Sequence, residues 1–256
     1  MINFTSSASS LSMDSDLVQS LDFCPFQTDD ELLFKIWGEW AGKDPTLVHG
    51  NKTGELFISI IFRNESLLRM YEKKTELIVG QLESSNVSLS NNPESFWSFD
   101  PITRHGIFLD TYAWMWVASP DMQIGRNVTI FNYPFQATEQ LEYLFNGTLY
   151  KTIKMVYVKN IVLKNGDLRI IEFQFLYALQ SGHVMHYYAS SNTFYANGSL
   201  YNSEYYTISL NRTTVDLDKI YGTIPPKVQF FTLFLVSSFF LGTITLITLL
   251  IWKKRL

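Results

Sequence analysis

Leu168-Arg-Ile-Ile-Glu-Phe-Gln-Phe-Leu-Tyr177 alternates in character: Ile171, Phe173, Phe175 and Tyr177 fall on one side of an extended chain, Glu172 and Gln174 on the other. Successive side chains of a β-strand point to opposite faces, so a two-residue period of large apolar groups marks a half-buried strand. Tyr206, Ile208 and Leu210 alternate with Tyr205, Thr207 and Ser209 in the same way. Residues 55–62, 76–82, 113–117, 127–131, 141–145 and 149–158 are further strand candidates. Between such runs stand Asn146-Gly147, Asn165-Gly166 and Asn197-Gly198. A two-residue hairpin turn needs positive φ at both central residues, which Asn and Gly supply. The second half therefore predicts consecutive hairpins, and the fold class is mainly β, an antiparallel sandwich-like or meander domain. The best helix signal before the C-terminal apolar stretch is residues 66–74.

That C-terminal stretch, Phe230 to Trp252, holds 23 residues without a charged side chain and is followed by Lys253-Lys254-Arg255-Leu256. At about 1.5 Å per residue it is long enough to cross a hydrocarbon core of about 30 Å as a helix. The expected division is a flexible Ser-rich leader at 1–29, a β-rich domain at 30–222, a membrane helix at 228–252 and a basic tail at 253–256. A subdivision of the domain is placed near 91–93, at Asn91-Asn92-Pro93. Within the span, Ser238 and Gly242 form a small-xxx-small pair of the kind that brings two helices together, so homodimerisation is one expected association.

The basic tail predicts a cytoplasmic C-terminus. Eight of the fifteen asparagines begin an Asn-x-Ser/Thr sequon: Asn3, Asn51, Asn64, Asn86, Asn127, Asn146, Asn197 and Asn211. Chance use of Ser and Thr at their abundance here would give about two or three. Both signals place residues before the span outside the cytosol, at the plasma membrane, with glycans expected on Asn51, Asn64, Asn86, Asn127, Asn146, Asn197 and Asn211. The start of the chain fits less well, since residues 1–23 contain no Lys, no Arg and no apolar run of a signal peptide. An upstream start, a removed signal, or a tail-anchored protein with a cytosolic bulk would each account for it. The last leaves the sequons unused.

A net charge of −4 argues against a nucleic-acid partner, which requires a basic face. The single cysteine, Cys24, excludes a disulfide within the chain. From Trp97-Ser-Phe-Asp-Pro-Ile-Thr-Arg104 onward, through Tyr112-Ala-Trp-Met-Trp-Val117, Gln123-Ile-Gly-Arg-Asn-Val-Thr129, Tyr187-Tyr188 and Gly198-Ser-Leu-Tyr-Asn-Ser-Glu204, the chain resembles a loose group of archaeal surface proteins. The resemblance covers roughly residues 95–256. It implies a β-rich, membrane-anchored ectodomain without an assigned activity.

Chemistry is sparse. His183 and His186 are three apart, a spacing that suits a helix rather than a strand for metal binding, and no cofactor is expected. No Gly-x-Ser-x-Gly or phosphate loop is present. Asp100, Asp110, Asp121, Glu172 and Glu204 are acids without a motif to pair them. Trp97, Trp114 and Trp116, with Tyr112, are the candidates for stacking on a ligand, against the alternative that such rings are core. The expected function is display or binding, of surface glycans or other surface proteins, rather than catalysis. Two alternatives stand beside it: an extracytoplasmic hydrolase, and an endoplasmic-reticulum membrane protein whose Lys253-Lys254 serves retrieval.

Overall fold

A computed structural model describes residues 23–42, 49–82, 85–108, 110–118 and 121–221. The described residues belong to one compact unit ending at Gly222. Its elements are strands: β1 (Glu31–Gly42), β2 (His49–Arg63), β3 (Leu68–Leu82), β4 (Ser85–Asn91), β5 (Glu94–Phe99) and β6 (Asn127–Ile130). The second half continues with β7 (Tyr133–Phe145), β8 (Thr148–Val162), β9 (Leu168–Ala178), β10 (Val184–Phe194) and β11 (Leu200–Thr213). They form a single eleven-stranded sheet in the order β4-β3-β2-β1-β11-β10-β9-β8-β7-β6, with β5 also on β3. All ladders are antiparallel.

The mainly β, meander reading holds, but not as a sandwich. The long ladder between β1 and β11, from Leu32↔Thr213 to Gly42↔Asn202, joins the two halves edge to edge into one sheet instead of stacking two. Asn91-Asn92-Pro93 is not a boundary either, because β4 before it and β5 after it both pair with β3, at opposite ends of that strand. The expected helix at 66–74 is strand from Leu68 onward, the start of β3. The apolar spacing there is two, with Leu68 and Met70 buried, and long-range pairing to β2 and β5 overrides a weak helical preference.

The sheet curls around its own inner face. The Trp114 ring lies 6.0 Å from Phe34 of β1 and 6.2 Å from Phe175 of β9. Those strands are three places apart, about 14 Å in a flat sheet, whereas two rings touching one tryptophan lie at most about 12 Å apart. Phe175 is the centre of this interior: Tyr187 stacks on it at 4.5 Å, and Phe135 meets it edge-on at 5.3 Å. The outer face is covered in one place. The Tyr143 ring lies 6.1 Å from His186 although β7 and β10 are three strands apart, so the tip of the β7–β8 hairpin folds back across the sheet.

Turn chemistry sets these registers. Asn146 and Gly147 have φ of 49° and 81°, a two-residue turn of the expected kind. At the other two Asn-Gly pairs only the glycine is left-handed; Gly166 N–H donates to Leu163 O and Gly198 N–H to Tyr195 O. These are three-residue loops with a bulge glycine, so the expectation of two-residue turns fails there. The β6–β7 turn is two residues long yet contains no glycine: Phe131 and Asn132 sit at φ of 51° and 68°.

The leader is shorter than expected. Cys24 and Phe26 are fully buried, and Asp29 N–H donates to Ile60 O, so residues from 23 onward belong to the domain. The expected membrane span and basic tail lie outside the described residues, as does Asn3. Among the described residues no helix is long and apolar enough to cross a membrane.

Candidate functional site

Residues 100–126 connect β5 to β6, and their middle, 110–118, runs inside the curled sheet. This segment, read from sequence as a strand over 113–117, is irregular. Each carbonyl from Tyr112 to Trp116 has a donor, drawn from different parts of the fold, with one Arg104 nitrogen serving two of them. Tyr112 O accepts from Phe131 N–H, and Met115 O from Val184 N–H. Trp114 O accepts the Tyr177 hydroxyl at 2.6 Å. Ala113 O and Trp116 O accept the Arg104 guanidinium, which also reaches Thr129 O. Buried backbone must find partners, and here they come singly rather than as a ladder.

Arg104 is itself buried, without a carboxylate in ion-pairing distance among the described residues. Burial lowers its pKa from the usual guanidinium value. Gly182 closes the attachment. At φ +73°, a Cβ there would stand 2.1 Å from Val117 O, and its own carbonyl accepts Val117 N–H. Only glycine lets the β9–β10 turn approach the inner segment so closely.

The fixed segment presents its two tryptophans differently. Trp116 is fully buried, meeting Phe26 at 5.6 Å and Phe99 at 6.2 Å, both edge-on. It belongs to the core and offers no face to a ligand, correcting the expectation that Trp114 and Trp116 act together. Alternation on a strand would have put both on one face; the irregular backbone does not. Trp114 is half-buried and, with the half-buried Trp97 of β5, lines a cleft of about 350 Å³. Met70, Phe99, Tyr112 and Phe131 complete most of its wall. A recess of about 210 Å³ shares Trp97, Trp114, Phe131 and Glu72 with it and reaches Phe175, Tyr187 and Tyr206.

Glu72 is the polar feature of this cleft. Trp97 and Ser95 are the hydrogen-bonding side chains beside its carboxyl, and the indole N–H of Trp97 donates to Ser95 Oγ at 3.0 Å. Burial raises the carboxyl above its ordinary range, with Lys74 and the two hydrogen bonds opposing. Lys74 Nζ is not bound to Glu72. It lies 2.6 Å from Glu76, whose same oxygen also holds Lys52 Nζ at 2.9 Å. Asp110 stands at the opposite, exposed lip, 3.1 Å from His105.

Phe131 carries strain into the same site. A bulky residue at φ 51° is an outlier, of order 1–3 kcal/mol, and its ring packs 6.2 Å from both Trp114 and Phe175. Asn132 donates to Asp110 O, tying this turn to the lip.

A larger depression of about 570 Å³ lies at the end of β1, β2, β3 and β11, lined by Trp40, His49 and Asn51 among others. It is more open than the cleft.

His183 and His186 do not converge. His183 is buried, its Nδ1 bonded to Val184 O and its ring edge-on to Phe26; burial pushes its pKa down to about 4. His186 meets Ser209 and Tyr143, and burial lowers its pKa too. Among the described residues no three His, Cys, Asp or Glu side chains gather around one point. Asn51, Asn64, Asn127, Asn146, Asn197 and Asn211 are all exposed, Asn146 and Asn197 on hairpin tips; the side chain of Asn86 lies outside the described set.

The cleft brings together Trp97, Trp114 and Tyr112, which the sequence singled out, with Glu72 and Phe131, which it did not. Glu72 was readable as the acid that interrupts the inward Leu68, Met70 run, once residues 66–74 are taken as strand. Phe131 carries no sequence signal for a left-handed turn.

No protein-family model matches this chain, and no curated protein is detectably similar to it.

Proposed function

We propose that this is a single-pass, glycosylated surface protein whose extracytoplasmic β-domain binds a small, largely apolar molecule without transforming it. The Trp97–Trp114–Phe131 cleft carries the proposal. It is concave, mostly apolar, held by a segment whose carbonyls from Tyr112 to Trp116 are all engaged, and provided with one desolvated polar group, which are the general attributes of a ligand pocket. Few polar groups converge there, which favours a compact apolar ligand over an extended glycan.

Export and anchoring rest on the sequence: the sequon excess, the exposure of the six described sequon asparagines, and the apolar C-terminal stretch with its basic end.

Binding is tested on the full chain in lipid nanodiscs, with benzyl alcohol as probe and ligand-observed NMR as readout. Saturable binding at one site, weakened about tenfold or more in Trp114→Ala, is the expected result. Equal binding by both proteins would remove the cleft from the account. Topology is tested by protease on intact cells: degradation of residues 1–228 with a small protected fragment is expected, and a fully protected domain would make the protein cytosol-facing.

A further inference from the structure

An aromatic cleft with one carboxylate is not neutral toward charge. Glu72 projects from β3 into the cleft, and among the described residues no lysine or arginine nitrogen lies within ion-pairing distance of it. The nearby cation, Lys74, lines the adjoining recess and acts on Glu72 through space, but it shares Glu76 with Lys52 and makes no ion pair with Glu72. The other acid on the cleft wall is Asp110, and no basic residue lines this part of it. Indole and phenyl faces carry a negative quadrupole that attracts cations and repels anions. Trp97, Trp114, Tyr112 and Phe131 supply four such rings to the cleft that Glu72 lines.

Resting on the cleft being a ligand site, we infer that its ligand is an organic cation: an apolar body bearing an ammonium group, seated against Glu72 among the Trp97, Trp114 and Phe131 rings. The two sides of the cleft divide the work. Met70, Phe99 and the rings take the apolar body, and Glu72 takes the charge that water would otherwise solvate. An anionic ligand would meet a carboxylate and ring faces of the wrong sign, and the two nearby lysines are already closed on Glu76. A neutral ligand would leave Glu72 with only Lys74, Trp97 and Ser95 to offset its desolvation.

The test compares three probes of one size on the full chain in nanodiscs: benzyltrimethylammonium, benzyl alcohol and phenylacetate. Wild-type protein is expected to bind the cation about tenfold more tightly than the alcohol, and phenylacetate least. Glu72→Gln keeps the hydrogen-bonding shape and removes the charge. It is expected to abolish the cation's advantage while binding benzyl alcohol at least as well, with an unchanged melting temperature showing an intact fold. If the alcohol binds and the cation binds no better, or phenylacetate binds best, the charge inference fails and the cleft stands. A cation preference that survives in Glu72→Gln assigns the charge to another group and overturns the inference equally. If none of the three binds, the cleft itself is not the site and both fall.

Discussion

Two tryptophans two residues apart, Trp114 and Trp116, end in different kinds of place. Around Trp116, Phe26, Phe99 and the His183 side close on one another edge to face, and the indole has no exposure. Around Trp114 the rings of Trp97, Phe131 and Tyr112 stand back from one another and leave a cleft. The same short segment thus feeds a sealed core with one residue and an open wall with another. The difference is not one of composition, since both surroundings are aromatic. It comes from a backbone whose carbonyls are held one by one by Arg104, Tyr177 and neighbouring amides, so that the segment need not pack both rings equally. Aromatic content alone therefore says little about binding; the fastening of the backbone decides which ring is presented.

The comparison predicts unequal costs. Trp116→Ala should destabilise the fold by about 3–5 kcal/mol, as expected for a large ring lost from a packed site, while Trp114→Ala should cost clearly less. Urea unfolding of both variants checks this, and equal losses would erase the distinction. Arg104→Met should come next, at about 3 kcal/mol, because three carbonyls lose their donor while the apolar stem is kept. Its additional signature is a changed environment for both tryptophans, since one guanidinium fixes the segment that carries them.

The sealed side should also be the acid-sensitive one. His183 has a folded-state pKa of about 4 against an ordinary 6.5, so the unfolded chain takes up its proton first on acidification. Its contribution is intact above pH 6.5 and is lost progressively as pH falls toward 4, by about 2–3 kcal/mol between pH 7 and 4.5. His186, also lowered, acts in the same direction. His183→Phe, which keeps a ring against Phe26, should flatten the fall of melting temperature over that window. An unchanged pH profile would show that His183 is not the group responsible.

The smallest stability effect is expected at the open side. Phe131→Asn relieves a left-handed phenylalanine but gives up its contacts with Trp114 and Phe175, and the two terms oppose each other. Stability should change by no more than about 1 kcal/mol, whereas affinity for a cleft ligand should fall severalfold. A stability loss without an affinity loss would make Phe131 a core residue and enlarge the sealed region.

Much of the sheet was legible because it is built of half-buried strands whose two-residue period is printed in the sequence; Phe175 and Tyr177 of β9, and Ile208 and Leu210 of β11, are buried as that period requires. What escaped was set by contacts far along the chain. The joining of β1 to β11 pairs Leu32 with Thr213 and Gly42 with Asn202, far apart along the chain, and no local pattern encodes it. β4 reads as a polar run because its place is secured by backbone pairing to β3 rather than by an apolar face. The inner segment looked like a strand because Ala113–Val117 is β-branched and aromatic in character, but its partners are a buried arginine and a tyrosine hydroxyl. Hence Trp97 and Trp114 could be proposed from sequence, while the separation of Trp114 from Trp116 could not.

That separation is measured most directly by fluorine NMR of the full chain labelled with 5-fluorotryptophan, the six resonances assigned by single Trp→Phe substitution. On titration with benzyltrimethylammonium, the resonances of Trp97 and Trp114 should shift together and saturably, while those of Trp116, Trp37 and Trp40 stay in place. Shifts confined to Trp37 and Trp40, or a Trp116 resonance that moves as far as Trp114, would contradict the account.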